Sequence, residues 1–97
     1  MQLNPGQKKE YVKRHDAIWP ELKTLLLEAG IRDYSIFLDE KTNILFAVLW
    51  RTADHTMNQL PEEEVMRRWW EFMAPFMKTK TNNEPESRLL ELVFHMD

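Results

Sequence analysis

The chain lacks several residue types and patterns that would point to particular functions. It contains no cysteine among its 97 residues, which excludes disulfides and zinc sites built on thiolates. Only two glycines occur, Gly6 and Gly30, and they do not form a glycine-rich phosphate loop. No apolar run approaches the ~20 residues that span a bilayer, and the N-terminus has no signal-peptide pattern. We therefore expect a cytoplasmic protein that binds neither membranes nor nucleotide cofactors.

The chain also lacks a net positive charge. The formal net charge is -3, which argues against nucleic-acid binding, because that function needs a basic face. The local cluster of Lys8, Lys9, Lys13 and Arg14 is diluted by acidic neighbours and is more simply a solvated helix face. The three histidines, at 15, 55 and 95, show no metal-ligand spacing, so the sequence predicts no metal site. The length fits a single domain, residues 1–97, with one hydrophobic core.

The pattern of apolar residues predicts a short strand, a helix, two strands, a helix and a final strand. Asn4 and Pro5 are typical of a helix start, and Gly30 of a helix end. The strands are expected over 31–39 and 44–50 around a polar hairpin loop, and the last over 89–96. A second long helix is expected over 62–77. This order predicts an α+β fold of the ferredoxin-like, split βαβ class, whose open sheet face a second copy would cover.

The segment Tyr11–Leu22 contains side chains that could take part in catalysis. Tyr11 and His15 are four residues apart, so a helix puts both on one face. Histidine titrates near neutrality and tyrosine supplies a hydroxyl, so the pair is a candidate for proton transfer. Packing alone explains such a pair more often than catalysis does. The same holds for Trp69 and Trp70, which core packing explains as readily as a pocket, although a Trp ring also suits the apolar face of a sugar.

The combination of motifs is more specific than any one of them. Tyr11, His15 and Ile18-Trp19-Pro20-Glu21-Leu22 are followed by Tyr34-Ser35-Ile36-Phe37-Leu38-Asp39 and, later, by Arg68-Trp69-Trp70. Over essentially its whole length the chain resembles the L-rhamnose mutarotase family. The resemblance implies a cytoplasmic homodimer with a dimeric α/β-barrel fold, which needs no metal or organic cofactor and interconverts the α and β anomers of L-rhamnose.

The resemblance also implies roles for individual residues. His15 matches the proton donor of the family, and Tyr11, Tyr34, Trp69 and Trp70 match its sugar-binding residues. Family members carry a few residues before the position of Met1, so Met1–Leu3 is expected to be the end of a truncated first strand. Two other functions fit the same residues: a cofactor-free monooxygenase acting on an aromatic substrate, and a non-catalytic sugar-binding or assembly module. A substrate screen and a measurement of anomer exchange distinguish them.

Overall fold

The computed structural model describes all residues, 1–97, as an α+β fold. Helices α1 (Lys8–Asp16) and α2 (Pro20–Glu28) are followed by strands β1 (Ile31–Asp39) and β2 (Ile44–Arg51). A 3₁₀ turn (Met57–Glu62) then leads into helix α3 (Glu64–Met73), and a second 3₁₀ turn covers Ala74–Phe76. No helix is long and apolar enough to cross a membrane.

The sheet is an antiparallel pair of β1 and β2, joined by a tight loop. The loop begins at Asp39, whose carboxylate accepts hydrogen bonds from the Lys41 amide and the Thr42 hydroxyl. It ends at Asn43, which has a left-handed φ of 59°. Short bridges extend this sheet: Gln2 pairs with Ile44, and Leu3 pairs with Met77. The sequence-based bounds of β1 and the hairpin loop are confirmed.

The hydrophobic core lies between the helices and one face of the sheet. Its most buried side chains are Leu3, Leu22 and Met73, and Ile36 and Leu38 of β1 pack against it. Helix α2 buries one face: Leu22 and Ala29 are buried, and Leu25 and Leu26 between them are partly buried, as their helical spacing predicts. The opposite face of the sheet is uncovered and exposes Phe37, Phe46, Val48 and Trp50.

Both long helices are shorter than the sequence predicts. Helix α1 begins at Lys8 instead of after Asn4, because Gly6 has a φ of 76°, which is incompatible with a helix. Helix α3 ends at Met73, two residues before Pro75, and the chain tightens into a 3₁₀ turn there. Proline lacks the amide hydrogen that a continuing helix requires. The predicted helix end at Gly30, with a φ of 94°, is confirmed.

The predicted strand over 89–96 is wrong for this structure. Residues 88–97 have no secondary structure, and no backbone hydrogen bond joins them to the rest of the chain. Alternating apolar residues form a strand only when a neighbouring strand accepts their hydrogen bonds. Instead, the chain turns back on itself at Thr79 and Pro85, which form an isolated bridge, and then runs into solvent.

Candidate active site

The candidate site is a cavity of about 980 Å³ between α1, α2, α3 and the inner face of the sheet. Four of the five residues predicted from sequence line it: Tyr11, His15, Tyr34 and Trp69. Most of the other lining residues are apolar, as is usual for pockets that bind small molecules. Helices α1 and α3 and strand β1 therefore bring together residues that are 58 positions apart in the sequence.

The predicted helical pair, Tyr11 and His15, is stacked. The two ring centroids are 4.3 Å apart with an interplanar angle of 31°, as expected for neighbours one turn apart on α1. Tyr11 is buried, with 6% of its surface exposed, whereas His15 is only partly buried. The histidine therefore reaches the cavity with one flank covered by the tyrosine ring.

A hydrogen bond to the helix backbone determines which ring nitrogen of His15 carries the hydrogen. Nδ1 of His15 lies 3.0 Å from the carbonyl oxygen of Tyr11. A carbonyl oxygen can only accept, so Nδ1 carries the hydrogen and donates it. In the neutral imidazole, Nε2 then holds the free lone pair and can accept a proton.

Burial also controls the charge of His15. It lowers the pKa of the imidazole, because a desolvated cation loses its hydration. The hydrogen bond to Tyr11 and the nearby carboxylate of Asp16 act in the opposite direction but do not overcome the desolvation. His15 is therefore neutral at pH 7, and its Nε2 is available as a base.

The two tyrosines keep their phenolic hydrogens. Burial raises the pKa of Tyr11 well above its ordinary value, and the neighbouring Tyr34 raises it further. Burial of its hydroxyl likewise raises the pKa of Tyr34, although 43% of the whole residue surface is exposed. Both hydroxyls can therefore donate and accept hydrogen bonds across the pH range in which His15 titrates.

An aromatic cluster borders the other side of His15. The Trp69 ring meets the imidazole edge-on, with centroids 5.4 Å apart and an interplanar angle of 86°. Trp19 in turn contacts Trp69 at 5.2 Å, and Phe72 lies 5.3 Å from Trp19. Trp19 and Phe72 were not predicted as site residues. The Trp19-Pro20 pair at the start of α2 is the signal that could have pointed to Trp19.

Trp70 does not line the cavity. It is partly buried and packs against the hydrophobic core, because adjacent helical residues point about 100° apart. The structure therefore brings four of the five predicted residues together and leaves Trp70 outside the group. No group of three or more His, Cys, Asp or Glu side chains lies close enough to hold a metal ion.

Comparison with known proteins gives this cavity a context. The sequence profile of L-rhamnose mutarotase matches residues 1–96 of the chain. The chain belongs to the L-rhamnose mutarotase family. An L-rhamnose mutarotase of Sinorhizobium fredii is 60% identical over 96 residues, covering 99% of this chain and 92% of that protein. One of Jannaschia sp. is 62% identical with the same coverage.

The fold agrees with this family membership. The crystal structure of an L-rhamnose mutarotase from Formosa agariphila superposes with a TM-score of 0.91 at 47% sequence identity. The match covers 100% of this chain and 93% of the Formosa protein. The resemblance inferred from the Tyr11–Leu22 and Arg68–Trp70 motifs is therefore confirmed. A mutarotase interconverts anomers and is an isomerase acting on carbohydrates.

Proposed function

We propose that this chain is an L-rhamnose mutarotase that interconverts the α and β anomers of L-rhamnopyranose, with His15 as its proton carrier. The observation that carries the assignment of His15 is its hydrogen bond to the Tyr11 carbonyl, which directs a basic Nε2 into a cavity lined by phenolic hydroxyls. Family membership indicates the reaction, and the geometry of the cavity supports His15 as the group that carries the proton.

Mutarotation requires one proton to move between two oxygens of the same carbon. Nε2 of neutral His15 accepts the proton of the anomeric hydroxyl as the C1–O1 bond becomes a carbonyl. The C1–O5 bond breaks, and its electron pair takes the proton back from the imidazolium at O5. The open aldehyde rotates about C1–C2, and the same steps in reverse close the ring to the other anomer. General acid–base catalysis of this kind contributes roughly 10²–10⁴-fold.

The remaining cavity residues would hold the sugar. The hydroxyls of Tyr11 and Tyr34 stay protonated, so they can hydrogen-bond the sugar hydroxyls without competing for the transferred proton. Trp69 offers an aromatic surface next to His15, suited to the apolar side and methyl group of a 6-deoxy sugar. The family resemblance also implies sugar binding by Trp70, which lies outside this cavity, and substitution of that residue tests it.

The decisive experiment is NMR measurement of exchange between the two L-rhamnose anomers, with the uncatalysed rate subtracted. His15→Asn keeps much of the shape but removes the titratable group. We expect it to slow catalysed exchange by about 10²-fold or more while the protein still binds L-rhamnose. Chelation with EDTA should leave the exchange rate of the parent protein unchanged.

The control is circular dichroism of the variant, because His15 also contacts Tyr11 and Trp69 within the fold. A folded His15→Asn protein that exchanges anomers at the parent rate would overturn the role of His15. Rhamnose binding by the parent without faster exchange would favour a sugar-binding module. Turnover of an aromatic substrate with no effect on rhamnose would favour a monooxygenase.

We further propose a homodimer of ferredoxin-like subunits that forms a dimeric α/β barrel in the cytoplasm, as the family resemblance implies. Two features support the dimer: the uncovered sheet face and the exposed apolar side chains of residues 89–96. The bridges of Gln2 with Ile44 and Leu3 with Met77 support the ferredoxin-like strand order, since they join the chain start to β2 and to the segment after α3.

A further inference from the structure

Strand β1 contains a left-handed residue beside the cavity. Asp33 has a φ of 49°, and only two other residues besides glycine have a positive φ, Asn43 and Asn83. Those two lie in the polar loop after β1 and in the turn between Thr79 and Pro85. Asp33 alone adopts this conformation within a strand, and it lies at the edge of the cavity next to Tyr34. Left-handed residues that are not glycine are uncommon and often mark functional sites.

The pairing register shows what this conformation does. Arg32 pairs with Trp50 and Ser35 pairs with Val48, so two residues of β1, Asp33 and Tyr34, lie opposite a single residue of β2. This is the two-against-one arrangement of a β-bulge. In one bulge type the first residue is left-handed and usually glycine. Asp33 occupies that first position, and Tyr34 is the second residue of the bulge.

The bulge reconciles two parts of β1 that would otherwise face opposite sides. Ile31 is buried, with 4% of its surface exposed, Ile36 packs against the hydrophobic core, and both residues line the cavity. They are separated by five positions, an odd number, so in a regular strand they would point in opposite directions. The extra residue at Asp33–Tyr34 shifts the alternation by one position, so Ile31 and Ile36 face the same side. Tyr34 faces the same side of β1 as Ile36, and the bulge fixes its position opposite Leu49, at the cavity.

We infer that Asp33 is a positioning residue for Tyr34: its left-handed backbone forms the bulge that holds the tyrosine hydroxyl over the sugar. The role belongs to the backbone, since the Asp33 carboxylate makes no hydrogen bond or ion pair with other residues. Aspartate tolerates this conformation better than most residues, and glycine adopts it freely. The inference rests on the proposed mutarotase function, because the position of Tyr34 is tested by its effect on the rate of anomer exchange.

A set of substitutions separates the backbone from the carboxylate. Asp33→Gly and Asp33→Asn both permit the left-handed conformation and remove the charge, so each should keep kcat/KM for L-rhamnose within about threefold of the parent. Asp33→Val strongly disfavours the conformation, because its branched side chain crowds the backbone. It should lower kcat/KM at least about tenfold, mainly through KM, because Tyr34 would lose its contact with the bound sugar.

A double-mutant cycle supplies a readout that general destabilisation would not produce. Tyr34→Phe should lower kcat/KM in the parent but change it less than about twofold in the Asp33→Val background, where Tyr34 is already displaced. Asn43→Val is the matched control. It imposes the same strain at a φ of 59° in the hairpin loop, outside the cavity, and should leave kcat/KM unchanged below its unfolding temperature.

Three results would overturn the inference. The first is loss of activity in both Asp33→Gly and Asp33→Asn, which would assign the role to the carboxylate. The second is full additivity of Tyr34→Phe with Asp33→Val, or with Asp33→Ala if the valine variant does not fold. The third is parent-like kinetics of folded Asp33→Val. Failure of the mutarotase function itself is distinguishable, because the parent protein would then exchange no anomers.

Discussion

Three local contacts fix the orientation of the His15 side chain. The stacked Tyr11 ring covers one flank, Trp69 meets it edge-on, and the backbone carbonyl of Tyr11 holds Nδ1. The first and third follow from the helical spacing of Tyr11 and His15, so they could be anticipated from sequence. The contact with Trp69 could not, because it depends on how α3 packs against α1. The same limit explains why spacing alone did not separate Trp69 from Trp70.

The lowered pKa of His15 predicts the pH dependence of activity. Burial shifts the pKa below its ordinary value of about 6.5, so the neutral form persists to lower pH than in a free histidine. Catalysed kcat/KM should therefore fall on the acid side with an apparent pKa below about 6.5. The measurement is anomer exchange against pH, with the uncatalysed rate subtracted at each point. An unchanged acid limb in His15→Asn would assign the titration to another group.

The same shift has a consequence for stability. Between the folded-state pKa and about 6.5, the unfolded chain binds a proton at His15 that the folded protein does not. The free energy of unfolding should therefore decrease as the pH falls through this window. The stability contribution levels off below the folded-state pKa. Denaturation of the parent and of His15→Asn across this window isolates the contribution, because the variant lacks the group.

The two tryptophans can be distinguished by matched substitutions. Trp69 contacts His15 and lines the cavity, whereas Trp70 packs on the core. Trp69→Phe should raise KM for L-rhamnose about threefold to tenfold, corresponding to roughly 0.5–1.5 kcal/mol of aromatic contact. Trp70→Phe should change it less than about twofold. A larger KM effect at Trp70 would mean that this residue reaches the sugar, as the family resemblance implies.

At the scale of elements, sequence reasoning located two boundaries correctly, missed those set by Gly6 and Pro75, and missed the irregularity within β1. Gly30 ends α2 and the polar loop after Asp39 turns the hairpin, both as predicted. The bulge at Asp33 was not predicted, because residues 31–39 were expected to form one regular strand. The odd separation of Ile31 and Ile36 was the available signal. It becomes informative only once both are known to face one core.

Arg14 fixes α1, and with it the neighbouring His15, against the end of α3. Its guanidinium carbon lies 3.8 Å from the Phe72 ring centroid and 4.4 Å from that of Phe76. Nη1 also donates to the Phe72 carbonyl oxygen at 2.7 Å, in the last turn of α3, where carbonyl groups run out of partners within the helix. Lysine cannot reproduce both the planar stacking and the directed hydrogen bond.

Arg14→Met should therefore lower the free energy of unfolding by about 1–3 kcal/mol, from the lost cation–π contact and hydrogen bond together. It should also reduce anomer exchange, since the α1–α3 packing sets the distance from His15 to Trp69. Urea denaturation measures the stability. Lys13→Met is the matched control, because Lys13 is exposed on the same helical turn and should change stability by less than about 0.5 kcal/mol. Equal losses of unfolding free energy in Arg14→Met and Lys13→Met would contradict the role of Arg14 in holding α1 against α3.

At the scale of the whole molecule, the apolar surface exceeds what a lone subunit should expose. The outer sheet face presents Phe37, Val48 and Trp50, of which Trp50 is 71% exposed. The segment 89–96 adds a second set of uncovered apolar side chains. Contiguous patches of this kind usually mark interaction sites. In the proposed homodimer, the alternating apolar residues of 89–96, which are exposed in the single subunit, would be covered.

The proposed homodimer should persist at micromolar protein concentrations, with no monomer appearing on dilution within that range, because a contact this apolar is typical of obligate interfaces. Val48→Lys combined with Phe37→Lys should dissociate it, since each lysine would bury a charge between the two sheets at a cost of several kcal/mol. Sedimentation velocity measures the mass, and circular dichroism verifies that the variant is folded. The control is Glu71→Lys, which adds the same side chain on the exposed side of α3 and should leave the dimer intact. A parent protein that sediments as a monomer, or a double variant that remains dimeric, would exclude the outer sheet face as the interface.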